Sequence, residues 1–116
     1  MRKFLKSFVY AFHGITTAVA DQRNLRVLIG IAVAVVAAGF YYDITPVEWC
    51  IILLCIALVV GLELINSSIE SLVDLVTMEK KPLAGKIKDM AAGAVLFASV
   101  LSSIIGLIIF LKYLTV

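Results

Sequence analysis

The chain has 116 residues, of which 63% are hydrophobic and 16% charged, with a formal net charge of +2. Soluble domains are about 45–50% apolar, and a mean hydropathy of +1.12 excludes that class. The chain reads as an all-α integral membrane protein with a single domain spanning residues 1–116.

Residues 2–24 form the first expected element. Phe4, Leu5, Phe8, Val9, Phe12, Ile15 and Val19 recur at helical spacing, with Lys3, Lys6, Tyr10, His13 and Thr17 on the other side. That pattern predicts an amphipathic helix lying on the membrane surface. A secretory signal is not expected, because no uniform apolar core follows Arg2, Lys3 and Lys6. The run Asp21-Gln22-Arg23-Asn24 interrupts the pattern.

A first span is expected over about 26–42, followed by a turn at Ile44-Thr45-Pro46 with the proline opening the next helix. The second span covers 47–66 and continues as an amphipathic helix to 78, where Lys80-Lys81-Pro82 breaks it. A short basic segment, 83–89, leads into a third span at 90–111. Gly93, Ala94, Ala98, Ser102 and Gly106 give that span a close-packing surface. Trp49 and Tyr113 read as anchors at the membrane interface. Cys50 and Cys55 lie on different faces of one helix, with no metal-ligand pattern around them.

Charge distribution sets the topology. Nine of the ten Lys and Arg residues fall in two blocks, Arg2 to Arg26 and Lys80 to Lys88, while the turn between the first two spans carries only Asp43 and Glu48. Both basic blocks are therefore expected in the cytoplasm, with the N-terminus inside and the C-terminus outside.

Glu63, Asn66, Glu70 and Asp74 stand out against this apolar background. Their offsets from Glu63 are 3, 7 and 11, which places each within roughly 60° of Glu63 on a helix. A carboxylate at membrane depth costs at least about 2.5–3.5 kcal/mol, so the stripe reads as a site at the cytoplasmic membrane edge. Its carboxylates suit a hard cation such as Mg²⁺, and the lysines after Met78 suit phosphate. Acids for a metal, a base for a hydroxyl and cations for phosphates are the parts of phosphoryl transfer. The bland alternatives are an oligomer-fixing polar stripe and lysines that only hold anionic head groups. There is no Walker A loop, no glycine-rich kinase loop and no Ser/His/Asp arrangement.

At these residues the chain resembles the bacterial integral-membrane diacylglycerol kinase and undecaprenol kinase family. The resemblance covers nearly the whole chain. It is carried by Glu63-Leu-Ile-Asn66-Ser-Ser-Ile-Glu70-Ser-Leu-Val-Asp74, followed by Pro82-Leu-Ala-Gly-Lys-Ile-Lys88-Asp89-Met-Ala-Ala-Gly-Ala. It implies a homotrimer with active sites shared between subunits, in the bacterial cytoplasmic membrane. ATP is the implied co-substrate, Mg²⁺ the cofactor and a membrane lipid the acceptor; no nucleic acid is expected as a partner.

By this resemblance Glu63 is the general base and Glu70 a metal ligand, with Asn66 and Asp74 as polar active-site residues. Lys3, Tyr10, Glu79, Lys80, Lys81, Lys88 and Asp89 match the nucleotide-binding positions, and Arg26 and Trp49 lie on the lipid side. Gln22 stands where the family often has a second metal-binding glutamate, with Asp21 adjacent as a substitute. Lys80 and Lys81 stand where relatives often carry an aromatic residue and a histidine. The implied activity is transfer of the γ-phosphate to the primary hydroxyl of undecaprenol or diacylglycerol. The Pro82-Leu83-Ala84 and Gln22-Arg23-Asn24 segments look more like the undecaprenol branch. The rival classes are a small proton- or ion-coupled carrier and a non-enzymatic assembly subunit. Clustering of the acids at one edge argues against the carrier, which needs its key acid near the midplane.

Overall fold

A computed structural model of the chain describes residues 1–115. It contains α1 (Arg2–Asp21), α2 (Arg23–Tyr42), α3 (Pro46–Val76) and α4 (Pro82–Leu114), with no strand among the described residues. The last three are each long and apolar enough to cross a membrane. With α1 as the N-terminal amphipathic helix, this is the expected all-α architecture of a multi-pass membrane protein.

The joints explain where the helices differ from expectation. The surface helix stops at Asp21 rather than continuing to 24, because Gln22 leaves the helical region with φ −109° and ψ 110°. The guanidinium of Arg26 then donates to the carbonyls of Val19 at 2.9 Å and Ala20 at 2.8 Å. Terminal carbonyls have no partner within their own helix, and the C-terminus of a helix attracts a cation. Arg26, expected on the lipid side, thus caps α1 while Leu25, only 1% exposed, fills the corner beside it. The second helix consequently begins at Arg23, earlier than the expected 26.

Between α2 and α3 the chain reverses through Asp43, which sits in the left-handed region at φ 53° and ψ 56°. A short polar side chain tolerates that conformation better than most. The next helix opens with a reciprocal cap. Thr45 Oγ1 accepts from the Glu48 N–H at 3.2 Å, and the Glu48 carboxylate accepts from the Thr45 N–H at 3.0 Å. Such a cap contributes about 1 kcal/mol.

Glu48 also takes the ammonium of Lys112 and the hydroxyl of Tyr113, both from the end of α4. The anchoring residues at this end of the helix pair therefore form one polar knot. Beneath it lies the buried cluster of Ile44, Ile52 and Ile109. Trp49, expected as an interface anchor, turns its half-buried ring onto α2, where its centroid lies 4.9 Å from that of Phe40.

The fourth helix is continuous from Pro82, so the expected basic lead-in at 83–89 is its first turns. Pro82 suits the first helical turn, and no breaker follows it. At this end Lys88 pairs with Asp74 at 2.6 Å. The two clamps, Glu48–Lys112 and Asp74–Lys88, make α3 and α4 antiparallel. Along α3 they stand roughly 39 Å apart at ~1.5 Å per residue, which exceeds the ~30 Å hydrocarbon core of a bilayer.

The whole chain measures 54 × 42 × 20 Å. So thin a body buries few side chains, and α1 buries none. The approach of α2 to α3 depends on Gly39, where a Cβ would lie 2.7 Å from Trp49 Cη2 and 3.2 Å from Ile44 Cδ1. Gly39→Val is expected to cost about 1–3 kcal/mol, read as earlier thermal unfolding in detergent. An unchanged midpoint would show that the tryptophan moves aside freely.

Candidate active site

The clamps fix the register of the stripe. Counting inward from Glu48–Lys112 places Glu63 level with Phe97, and from Asp74–Lys88 level with Ser99, so Glu63 lies opposite the segment 97–99, Asn66 opposite 94–96 and Glu70 opposite 90–92. Ala98 is buried at 4% exposure, and small side chains of this kind let two helices approach closely. Glu63 is likewise 4% exposed and Asn66 7%, while Glu70 is half-buried and Asp74 exposed. The stripe is therefore graded from covered to open.

Three ion pairs join the described residues: Lys81–Glu79, Lys88–Asp74 and Lys112–Glu48. None involves Glu63 or Glu70. The Asn66 amide donates to the Glu70 carboxylate at 3.4 Å, which leaves Asn66 Oδ1 buried without a partner. Ser67 Oγ is also buried and unpartnered. Covered Glu63 without a paired cation, beside two orphaned oxygens, makes this region the candidate ligand site.

The remaining expected site residues are spread around this region. Lys88 is bound to Asp74 and Asp89 is exposed. Glu79, Lys80 and Lys81 occupy the exposed bend between α3 and α4, where Glu79 and Lys81 approach to 4.0 Å. Lys3 and Tyr10 are exposed on α1. Asp21 and Gln22 line a groove of about 730 Å³ between α1 and α3, opposite Ser67, Ser68 and Ser71. That serine face adjoins the Glu63–Glu70 stripe without coinciding with it. His13 lines the same groove.

Among the described residues no three His, Cys, Asp or Glu side chains converge as a metal-binding set. The oxygen donors of Glu70 and Asn66 nevertheless suit Mg²⁺, which keeps several waters and needs one or two carboxylates beside substrate phosphates. The orphaned Asn66 Oδ1 is the observation that makes this fit. A separate apolar cleft of about 510 Å³ opens between α2, α3 and α4, lined by residues including Val35, Ile52, Val59 and Phe110.

The family model described as prokaryotic diacylglycerol kinase matches residues 9–110 of the chain. The chain belongs to this family. It is similar to an undecaprenol kinase of Bacillus subtilis, with 45% identity across 98% of this chain and 93% of that protein. It is also similar to a diacylglycerol kinase of Synechocystis, with 40% identity across 88% of this chain and 59% of that protein. A diacylglycerol kinase of Escherichia coli K12 is 29% identical across 88% of this chain and 84% of its own length. Membership in the prokaryotic diacylglycerol kinase family makes the chain a lipid kinase, with ATP as co-substrate, and sets aside the carrier and the non-enzymatic subunit.

Two features escaped the sequence reading. Ser67 was legible only as one of two adjacent serines, although its spacing of four from Glu63 puts the two side by side. The pairing of Glu48 with Lys112 and Tyr113 joins residues too distant in sequence for any local pattern to connect. Asp74 and Lys88 have side chains 47% and 38% exposed, so their pair contributes at most about 1 kcal/mol. Asp74→Asn is accordingly expected to lower stability by no more than that, as read by thermal unfolding in micelles. A larger loss would give the pair a structural role of its own.

Proposed function

We propose that the chain is an Mg²⁺-dependent kinase that transfers the γ-phosphate of ATP to the primary hydroxyl of undecaprenol. Diacylglycerol is the other candidate acceptor. The covered position of Glu63, without a paired cation, carries the reading. A carboxylate screened from water and close to lipid is suited to take the proton of an alcohol that water-filled sites do not receive. The acceptor oxygen forms a bond to the γ-phosphorus, the bond from that phosphorus to the bridging oxygen breaks, and ADP leaves. The alcohol proton passes to Glu63.

Glu70 and Asn66 Oδ1 are the residues that would hold Mg²⁺, whose charge neutralises the phosphate oxygens when it is bound. Lys88, released from Asp74, would contact the nucleotide, with Asp89, Glu79, Lys80 and Lys81 around it and Asp74 at the open end of the stripe. Lys3 and Tyr10 are assigned to the same nucleotide. Their exposure on α1 leaves them open to a neighbouring subunit, which supports a homotrimer whose sites are built from more than one subunit. Undecaprenol is preferred as acceptor because the similarity to the undecaprenol kinase runs along 98% of the chain. Residues 1–116 act as one lipid-kinase domain in the bacterial cytoplasmic membrane, with the N-terminus and both basic blocks on the cytoplasmic side.

Labelled γ-phosphate supplied as MgATP in mixed micelles is expected to reach undecaprenol more efficiently than diacylglycerol. The reverse ratio would assign the chain to the other acceptor, and transfer to neither would overturn the reading. Glu63→Gln should reduce turnover by about 10²–10⁴-fold while leaving the oligomer and its unfolding temperature intact. Near-normal turnover would remove Glu63 from the role of base. Asp21 or Gln22 is assigned to a second metal contact. Asp21→Asn should raise the Mg²⁺ concentration needed for half-maximal rate, and an unchanged requirement would leave Asp21 out of that contact.

A further inference from the structure

Serines in a helix ordinarily satisfy their hydroxyl on the carbonyl four residues back. Ser7, Ser68 and Ser103 all do so, donating to Lys3, Leu64 and Ser99 at 2.8–3.0 Å. Among the described residues, Ser71, Ser99 and Ser102 form no such bond but are not buried, whereas Ser67 is the serine whose hydroxyl is both buried and unpartnered. It is 7% exposed, its Oγ is buried, and no partner reaches it. An unsatisfied buried hydroxyl is a standing cost, and here the usual remedy is one rotation away. Two placements give the exception meaning. Ser67 follows Glu63 by four residues and so stands beside it on the helix. It also lines the groove between α1 and α3, whose walls include Ile15, Leu64 and Leu72.

From these placements we infer that Ser67 is a substrate-binding residue, whose hydroxyl hydrogen-bonds the hydroxyl of a long-chain lipid alcohol entering along the α1–α3 groove. The inference rests on the kinase reading above and names a residue that holds its acceptor. The apolar residues of the groove, Ile15, Leu64 and Leu72, take the chain of such a molecule but do not fix its end. Ser67 supplies the fixing contact within reach of Glu63. The serine hydroxyl donates to or accepts from the alcohol oxygen and exchanges no proton in the reaction, so Glu63 remains the base.

The test is steady-state kinetics of Ser67→Ala in mixed micelles, with the lipid alcohol and MgATP varied separately. The KM for the alcohol is expected to rise about 3–10-fold, the worth of one neutral hydrogen bond, with the KM for ATP unchanged. The deoxy analogue of the same lipid, which lacks the hydroxyl, serves as a competitive inhibitor. Its inhibition constant should be the same in the variant and the parent, because it never made the contact. An unchanged KM for the alcohol, or equal weakening of alcohol and deoxy analogue, would overturn the assignment. A parent protein that phosphorylates no lipid alcohol would instead overturn the kinase reading itself, so the two failures are distinguishable.

Discussion

Everything in this small chain depends on the antiparallel pairing of α3 with α4. The pairing is held by the Glu48–Lys112–Tyr113 knot at one end and by Asp74–Lys88 at the other. The knot centres on buried Glu48 and shares in a helix cap, so it sets the register. The opposite pair is open to water and adds little stability, but it determines where Lys88 waits. With both ends fixed, each residue of the polar stripe lies opposite a short, defined segment of α4.

This arrangement sorts the stripe by environment. Glu63 and Asn66 are covered, Glu70 is intermediate, and Asp74 is open. A base works best where water is scarce, whereas cations that receive a nucleotide work best where it is plentiful. The gradient along one helix face provides both conditions within about three turns. In the proposed reaction, lipid and nucleotide approach one stripe from different phases. A chain this thin leaves the stripe incompletely enclosed, which is why a shared site between subunits accords with its shape.

Much of the architecture was legible in the sequence because hydropathy and helical periodicity are local. The three spans, the Pro46 start, the break before Pro82 and the shared face of Glu63, Asn66, Glu70 and Asp74 all follow from spacing. Helix ends were less legible. The termination at Asp21 depends on Arg26 folding back onto α1, a contact between two elements. The burial of Ser67 is a property of tertiary packing, which spacing alone does not reveal. The motif of Glu63 through Asp74, by contrast, was specific enough to indicate the family without any coordinates.

The unequal apolar lengths of the paired helices have a consequence for the lipid around them. From Trp49 to Leu62 the second span offers roughly 21 Å of apolar length at ~1.5 Å per residue, whereas α4 offers roughly 33 Å from Met90 to Leu111. A bilayer of ordinary thickness matches only the longer helix. On the side where α3 faces lipid, head groups are drawn inward to meet its polar end, thinning the leaflet locally. Such a dimple brings the membrane surface closer to the level of Glu63 on α3, through nothing more than the mismatch of two helices.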